Sequence, residues 1–461
     1  MTRVLLQPEV VPPSRDPALQ AVLDGTSMRL RLGKMLNHAG GWRIEECRPG
    51  KVLVLPGGRC TLRYELQLGC DRAPGIRRVS LGARLAGSAS AAAGIVAGEL
   101  LPLASTCAGR EELAPFAFPV ADLPSLGIAA YGFPIDPGLP TLIAATDPSA
   151  IGAYLRDATG MRAGPGDCRV SVARYGRRER CVLRYELSGI SGGPARVVYG
   201  KVYGSAALPE TGVLVELDGM AGNGTRVPRL LGTRHDLNLL VLEAIPGRPR
   251  LVRLLRFGQT PQLGDALTSA LDACARAVHD LHLHEPPAAA RALEDVAASL
   301  SDQAERMPQQ RLQAALSEWI AQAVALAASE EPLAARLAHG DFTPAQVLFD
   351  ADTCGVVDFD DACASEPAYD LGRFCAYLRL ACRKVGSGGP DVRATADAAC
   401  DRFVSSYARR ACVAGHDRGA LMRRTSAHER LALCGHAIHS WQQLKTRRLA
   451  DAVSILEEVT G

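Results

Sequence analysis

Apolar and polar positions along this chain change period twice. From about Trp42 they alternate. KVLVLPGGRCTLRYELQL holds two short apolar runs broken by Pro56-Gly57-Gly58, which predicts a hairpin, and a third run, IRRVSLGARL, follows. The same arrangement returns in SVARYGRRERCVLRYELSGI and ARVVYGKVYG. Leu62-Arg63-Tyr64-Glu65-Leu66 recurs as Leu183-Arg184-Tyr185-Glu186-Leu187, and Cys60 matches Cys181 at the same offset of 121 residues. This predicts an internal duplication of a small antiparallel sheet, the first copy ending near residue 158 after a turn-rich connector and a short helix. After the second copy, ETGVLVELDGMAG reads as a helix with Leu214, Leu217 and Met220 on one side, and RVPRLLGTRHDLNLLVLEAIPGRP as two strands closed by Pro246-Gly247. Beyond residue 260 the apolar spacing becomes three or four, as in ALTSALDACARAVHDLHLH and RLQAALSEWIAQAVALAA, so the rest is helical, interrupted once by strands at 345–359.

Composition narrows the class. With 461 residues, 47% of them hydrophobic and 22% charged, the chain is globular and long enough for about three compact units. No run approaches the ~20 apolar residues of a membrane helix, and MTRVLLQPEVVPPSRDP lacks the apolar core of a signal peptide, so a cytoplasmic protein is expected. The net charge of +3 is too small for a nucleic-acid binder held by phosphate contacts. It conceals an asymmetry: residues 1–248 carry 29 basic and 22 acidic side chains, residues 249–461 carry 23 and 27. The first part suits phosphates and the second cations, which leans toward a cationic or polyhydroxylated substrate. The 14 cysteines include no C-x-x-C pair and read as small buried hydrophobes in a reducing compartment.

Two places carry chemistry. Residues 331–370 hold nine acids and one base, Arg336. Such a run is usually solvated, but Asp341 and Asp358 sit against apolar strand residues. Val347-Leu348-Phe349 and Val356-Val357 flank a turn, and an antiparallel hairpin would bring Gln346 beside Asp358, with Asp341 one loop upstream on the same edge. A carboxylate and an amide oxygen meeting there form a site for a hard cation such as Mg²⁺. Asp360, Asp361 and Glu366 either face an amine-bearing substrate or water. The second place is Lys201. The chain has five lysines among 52 basic residues, and this one lies in an apolar strand, RVVYGKVY, where a charge must be paired or used. A compact point charge suits a phosphate clamp. His279, His282 and His284 do not share one helix face, which argues against a metal site.

These residues resemble a known family. His339-Gly340-Asp341, Gln346, Val357-Asp358-Phe359-Asp360 and Asp370-Leu371-Gly372, in that order, look like the signature of the aminoglycoside phosphotransferase / choline kinase-like superfamily. ARAVHDLHLH is similar to its leucine-histidine helix and LVLEAIPG to its hinge. The resemblance covers about residues 160–461 and implies an α+β, bilobal protein-kinase-like fold: an antiparallel-sheet N-lobe over 159–248 and a helical C-lobe over 249–461. Residues 1–158 would be a degenerate repeat of the N-lobe, with Ala83 in the place of Lys201, forming a non-catalytic cap like that of maltokinase-like enzymes.

The resemblance also implies roles. Asp341 would take the proton of the attacking hydroxyl. Gln346 and Asp358 would hold Mg²⁺ on the phosphates of ATP. Lys201 would contact the α- and β-phosphates, oriented by Glu216 in preference to Glu210. Backbone around Glu243, Ala244 and Ile245 would bind adenine, and Asp370 would brace the catalytic loop. Gln346 stands where the family usually has Asn, and no G-x-G-x-x-G loop precedes Lys201; its place is taken by Tyr175-Gly176-Arg177-Arg178-Glu179-Arg180, within a stretch, 160–204, of nine basic and three acidic residues. The implied function is phosphorylation of a hydroxyl on a small molecule such as an aminoglycoside, sugar or amino alcohol. The alternative is a nucleotide-binding pseudokinase or scaffold whose cap engages a partner. A protein kinase is disfavoured, because HGD replaces H-R-D and no A-P-E segment follows.

Overall fold

The structure, a computed structural model, describes residues 17–54, 60–107, 109–161, 168–177, 180–188, 195–218, 220, 224–257, 264–350, 353–386, 390–411 and 416–460. Strands β1 (Trp42–Val54), β2 (Cys60–Cys70), β3 (Ala73–Leu85), β4 (Val120–Leu123) and β5 (Ile128–Gly132) form one sheet in the order β1-β2-β3-β5-β4. The turn Pro56-Gly57-Gly58 lies outside the described residues, but β1 and β2 pair across it, Val54 opposite Cys60. Strands β6 (Cys168–Arg177), β7 (Arg180–Leu187), β8 (Arg196–Tyr203), β10 (Leu230–Arg234) and β11 (Leu239–Glu243) form a second sheet in the order β6-β7-β8-β11-β10. The two orders are the same. In each, the last two strands are joined by one 3-10 turn ending on a left-handed residue, Gly127 in the first and Asn238 in the second.

The repeated Leu-Arg-Tyr-Glu-Leu segments show why the pattern recurs. On β2 and β7 alternate side chains, Leu62, Tyr64 and Leu66, then Leu183, Tyr185 and Leu187, are buried, as period-two alternation requires. A buried tyrosine hydroxyl needs an acceptor. Tyr64 donates to the carbonyl of Val22 and Tyr185 to that of Ala145, each at 2.8 Å, and each acceptor lies on a short helix packed over that face.

Strand register corrects one expectation. Val182 lies opposite Lys201, and Thr61, its repeat counterpart, lies opposite Arg84. Arg84, not Ala83, therefore occupies the place of Lys201. The connections between the paired strands differ in length, and only backbone pairing decides which residue arrives opposite.

The remainder is helical, as expected. It is built on Asp265–Leu281, Leu293–Glu305, Gln310–Ala328, Pro367–Val385, Pro390–Arg410, His416–Gln442 and Thr446–Thr460. Trp319 and Trp441 belong to the apolar cluster of this lobe, and the described cysteines are free thiols, most of them buried. The interruption consists of the hairpin β13 (Val347–Asp350) and β14 (Thr353–Val356), flanked by β9 (Thr225–Arg226), and of the pair β12 (Arg336–Ala338) and β15 (Cys363–Ser365). An antiparallel-sheet lobe over a helical lobe is the bilobal, protein-kinase-like arrangement, preceded here by a repeat of the sheet lobe. Among the described residues, no helix is long and apolar enough to cross a membrane.

Candidate active site

The hairpin register does what the sequence pattern requires. Val347 pairs with Val356, so Gln346 and Asp358 emerge at its base. Gln346 Nε2 lies 3.2 Å from Asp358 Oδ2 and 3.4 Å from Asp341 Oδ2, which brings the three expected residues together. Asp358 sits at φ +77°, a left-handed backbone that non-glycine residues adopt rarely and at a cost.

The loop bearing Asp341 is held from below. Asp370 is fully buried, accepts from the backbone N–H of His339 at 2.7 Å and of Gly340 at 3.0 Å, and meets His282 Nε2 at 3.2 Å. Burial alone would raise its pKa, but the hydrogen bond and charge of His282 and the field of His339 hold it below the usual carboxylate value. His282 is thus a packing residue, and its Nδ1 bonds Tyr407. Gly340 has φ +79°, and a Cβ there would strike the carbonyl of Asp361, so only glycine fits.

Lys201 enters from the other lobe. Its ammonium, on buried β8, donates to Asp358 Oδ1 at 2.8 Å, to Asp360 Oδ1 at 3.4 Å and to Glu210. Burial pulls its pKa down to about 8, against the opposing pull of Asp358. The helix carboxylate that pairs with it is Glu210, not Glu216. Glu210 is fully buried at the start of the helix Thr211–Glu216, whereas Glu216, six residues on, has turned out to solvent. Tyr203 also reaches this cluster, donating to Asp360 at 2.8 Å and Glu210 at 3.1 Å. Glu210, Asp358 and Asp360 each bring a carboxylate oxygen within 4.8 Å of the others.

Glu243 ends β11, and Ala244 and Ile245 follow it directly at the crossing between the lobes. A Cβ on Gly355 would meet the Ile245 side chain, and Arg248 bridges to Phe349, so this hinge is seated on the β13–β14 hairpin. The Glu243 carboxylate lies 3.5 Å from both Arg196 and Arg229.

Two residues were not singled out in advance. Arg180, on β7, meets Asp358 Oδ1 at 3.0 Å and also pairs with Asp360. Burial would raise the pKa of Asp358, yet Lys201 and Arg180 together hold it far below the carboxylate range. Arg180 stood among nine basic residues, and nothing in the sequence marked it. Arg373 clasps Asp341 Oδ1 through Nε at 2.8 Å and Nη2 at 2.6 Å. It lies three residues after Asp370 on a helix, a spacing that places both on one face and that could have been read. Of the acids left between substrate and water, Asp360 joins the cluster above, and Glu366 is buried against Arg424 and His428 rather than facing water.

The sequence profile of a family described as "Phosphotransferase enzyme family" matches residues 207–421. The matched segment runs from the Lys201–Glu210 turn to the start of the helix His416–Gln442, and so contains the hinge, Asp341, Gln346, Asp358 and Asp370. Among solved structures, choline kinase from Cryptosporidium parvum is 11% identical, with 67% of this chain and 94% of that chain covered at a TM-score of 0.47. An aminoglycoside phosphotransferase from Streptomyces rimosus is 19% identical, with 61% and 98% covered and a TM-score of 0.38. Ethanolamine kinase of Plasmodium vivax is 12% identical, with 64% and 82% covered and a TM-score of 0.42. A search of the curated proteins gives no match.

Proposed function

We propose that this protein is an ATP- and Mg²⁺-dependent phosphotransferase acting on a hydroxyl of a small molecule, a sugar, aminoglycoside or amino alcohol. The observation that carries the reading is the 2.8 Å contact of Lys201, from the sheet lobe, with Asp358, at the base of the hairpin that also presents Gln346 and Asp341.

The residues suit the metal. Oxygen donors from carboxylates and an amide are those a hard cation takes, and Glu210 Oε2 is buried without a hydrogen-bond partner. Asp358 and Gln346 would hold Mg²⁺, Gln346 after turning its amide oxygen inward. Bound there, the ion supplies charge neutralisation on the β- and γ-phosphates. Lys201 and Arg180, which pair with Asp358 and Asp360 here, are placed to take phosphate oxygens instead.

Asp341 is the proposed base. Arg373 occupies its Oδ1 with two bonds, and Oδ2, which Gln346 Nε2 approaches only at 3.4 Å, would accept the acceptor's hydroxyl proton. The acceptor oxygen then bonds the γ-phosphorus, the bond to the bridging oxygen breaks, and ADP departs. The carboxylate is positioned by Arg373 and by the Asp370 brace, so the chain's contribution is geometry and charge rather than covalent chemistry.

The test is an ADP-release screen with Mg-ATP over sugars, aminoglycosides, amino alcohols and nucleosides. Asp341→Asn should lose about 10²–10⁴-fold in turnover while Mg-ATP binding persists. Wild-type turnover in that variant refutes the role. A second reading, a nucleotide-binding pseudokinase, is favoured by one observation: Lys201 and Arg180 already neutralise the would-be metal ligands. It requires thermal stabilisation by Mg-ATP and no ADP from any acceptor.

A further inference from the structure

The site opens into a cleft of about 560 Å³, within the range of about 300–1,000 Å³ typical of small-molecule sites. Its floor holds Asp341, Asp358, Asp360 and Asp361, with Arg180 and Arg373 among them. One wall comes from the C-terminal helices, with His436 and Arg448. The other comes from the first sheet, with Lys51, Thr61 and Arg84. The repeated sheet is thus not remote from the chemistry.

The repeat also reproduces the cation and its partner. Arg84 stands at the position of Lys201, and it pairs with Glu99 at 2.8 Å as Lys201 pairs with Glu210. The setting differs. Lys201 is buried among three carboxylates, whereas Arg84 retains 29% side-chain exposure and Glu99 48%, so Glu99 screens it only weakly. Away from the carboxylate floor, the charged side chains lining the cleft are Lys51, Arg63, Arg84 and Arg448 against Asp136, and Asp136 is already engaged by Tyr175 and Arg63. The opposite wall has the same sign. Burial first, and then Arg448, His439, Arg373 and Lys445, push the pKa of His436 down to about 3.

We infer that the first sheet domain forms half of the acceptor site, and that the acceptor carries an anionic group, phosphate or carboxylate, held between Arg84 and Lys51 on one side and Arg448 on the other. This rests on the phosphotransferase reading for the word acceptor, but the binding it predicts does not. It reverses the lean toward cationic substrates drawn from the acidic C-terminal half. Acids of that half are consumed in pairs such as Glu366 with Arg424, Asp272 with Arg402 and Glu458 with Arg383, and do not line this wall.

The test uses the full chain with Mg-ADP and four probes: glucose, glucosamine, glucuronate and glucose 6-phosphate, titrated calorimetrically. An anionic probe should bind more tightly than glucose and glucosamine, and the better of the two anions identifies carboxylate or phosphate. R84Q and K51Q should each weaken that binding by about tenfold or more, with Mg-ATP affinity unchanged. Both positions are partly exposed, and a single cooperative thermal unfolding transition confirms that the variants fold. The inference is overturned if neither anion binds, if glucosamine binds best, if both variants bind the anion like wild type, or if R84Q weakens Mg-ATP instead. No turnover is needed. Absence of ADP release with every acceptor sinks the phosphotransferase reading alone, and ADP release confined to neutral or cationic acceptors sinks this inference alone.

Discussion

At the scale of single residues, the loop around Asp341 tolerates little. Gly340 has a left-handed backbone with the carbonyl of Asp361 where a side chain would begin. Gly340→Ala should cost at least about 1–3 kcal/mol in backbone strain, and relieving the clash would displace Asp341. The expected result is a lowered Tm together with loss of ADP release; an unchanged Tm would contradict the geometry. Asp370 raises a different issue, because its two oxygens serve two backbone donors and His282 at once. Asp370→Asn keeps one acceptor oxygen and brings a donor to face a donor. A loss of about 1–3 kcal/mol is expected, measurable by denaturant unfolding. His339-Gly340-Asp341 and Asp370 were legible in the sequence as a motif. Their mutual bracing became visible only where 30 residues of intervening chain fold back on themselves.

At the scale of elements, the helix Pro367–Val385 carries both Asp370 and Arg373, so its seating fixes the site. Its first turn is anchored by Glu366, buried and bonded by Arg424 Nη2 at 2.8 Å and His428 Nε2 at 2.7 Å, both on the helix His416–Gln442. Burial would raise the pKa of Glu366, but His428 and Arg424 bring it down to about 2 from an ordinary 4.5. The sign follows from linkage. A depressed carboxyl contributes stability above its unfolded pKa, and loses it as pH falls from about 4.5 through about 2, a contribution of up to about 3 kcal/mol. Glu366→Gln should therefore be destabilised at neutral pH and should converge on wild type toward pH 2, in unfolding curves taken across that range. A constant difference at every pH would show that Glu366 acts through packing alone. The sequence marked Glu366 only as a member of an acidic run, because its partners lie about sixty residues downstream.

At the scale of the whole molecule, the first sheet is joined to the second by a buried polar cluster. Tyr175 of β6 donates to Asp136 at 2.7 Å, the Arg63 guanidinium lies 3.2 Å from the centre of the Tyr175 ring, and Lys51 donates to the Tyr175 carbonyl at 2.7 Å. This places β1 and β2 over the cleft rather than beyond it. Tyr175→Phe keeps the ring and removes one bond to a buried carboxylate. A loss of about 1–3 kcal/mol is expected, with a Tm lowered by about 2–4 °C per kcal/mol. Limited proteolysis of the full chain should quicken as the two sheets part more often. Identical cleavage rates would mean that the sheets are held elsewhere.

What the sequence determined by itself is what depends on neighbours along the chain. Alternation set the strands, and three-to-four spacing set the helices. The five-residue repeat exposed the duplication, and the hairpin at 345–359 brought Gln346 to Asp358 because a short turn leaves one register open. Tertiary structure alone decided the matters that depend on residues meeting across lobes. Glu210 displaced Glu216 because the chain after β8 turns inward six residues sooner. Arg84 displaced Ala83 because strand pairing, not counting, sets alignment. Arg180 reached Asp358 from 178 residues away, and the sign of the cleft emerged only after most charges had been cancelled by distant partners. Such pairings are fixed by packing in three dimensions, and no local pattern encodes them.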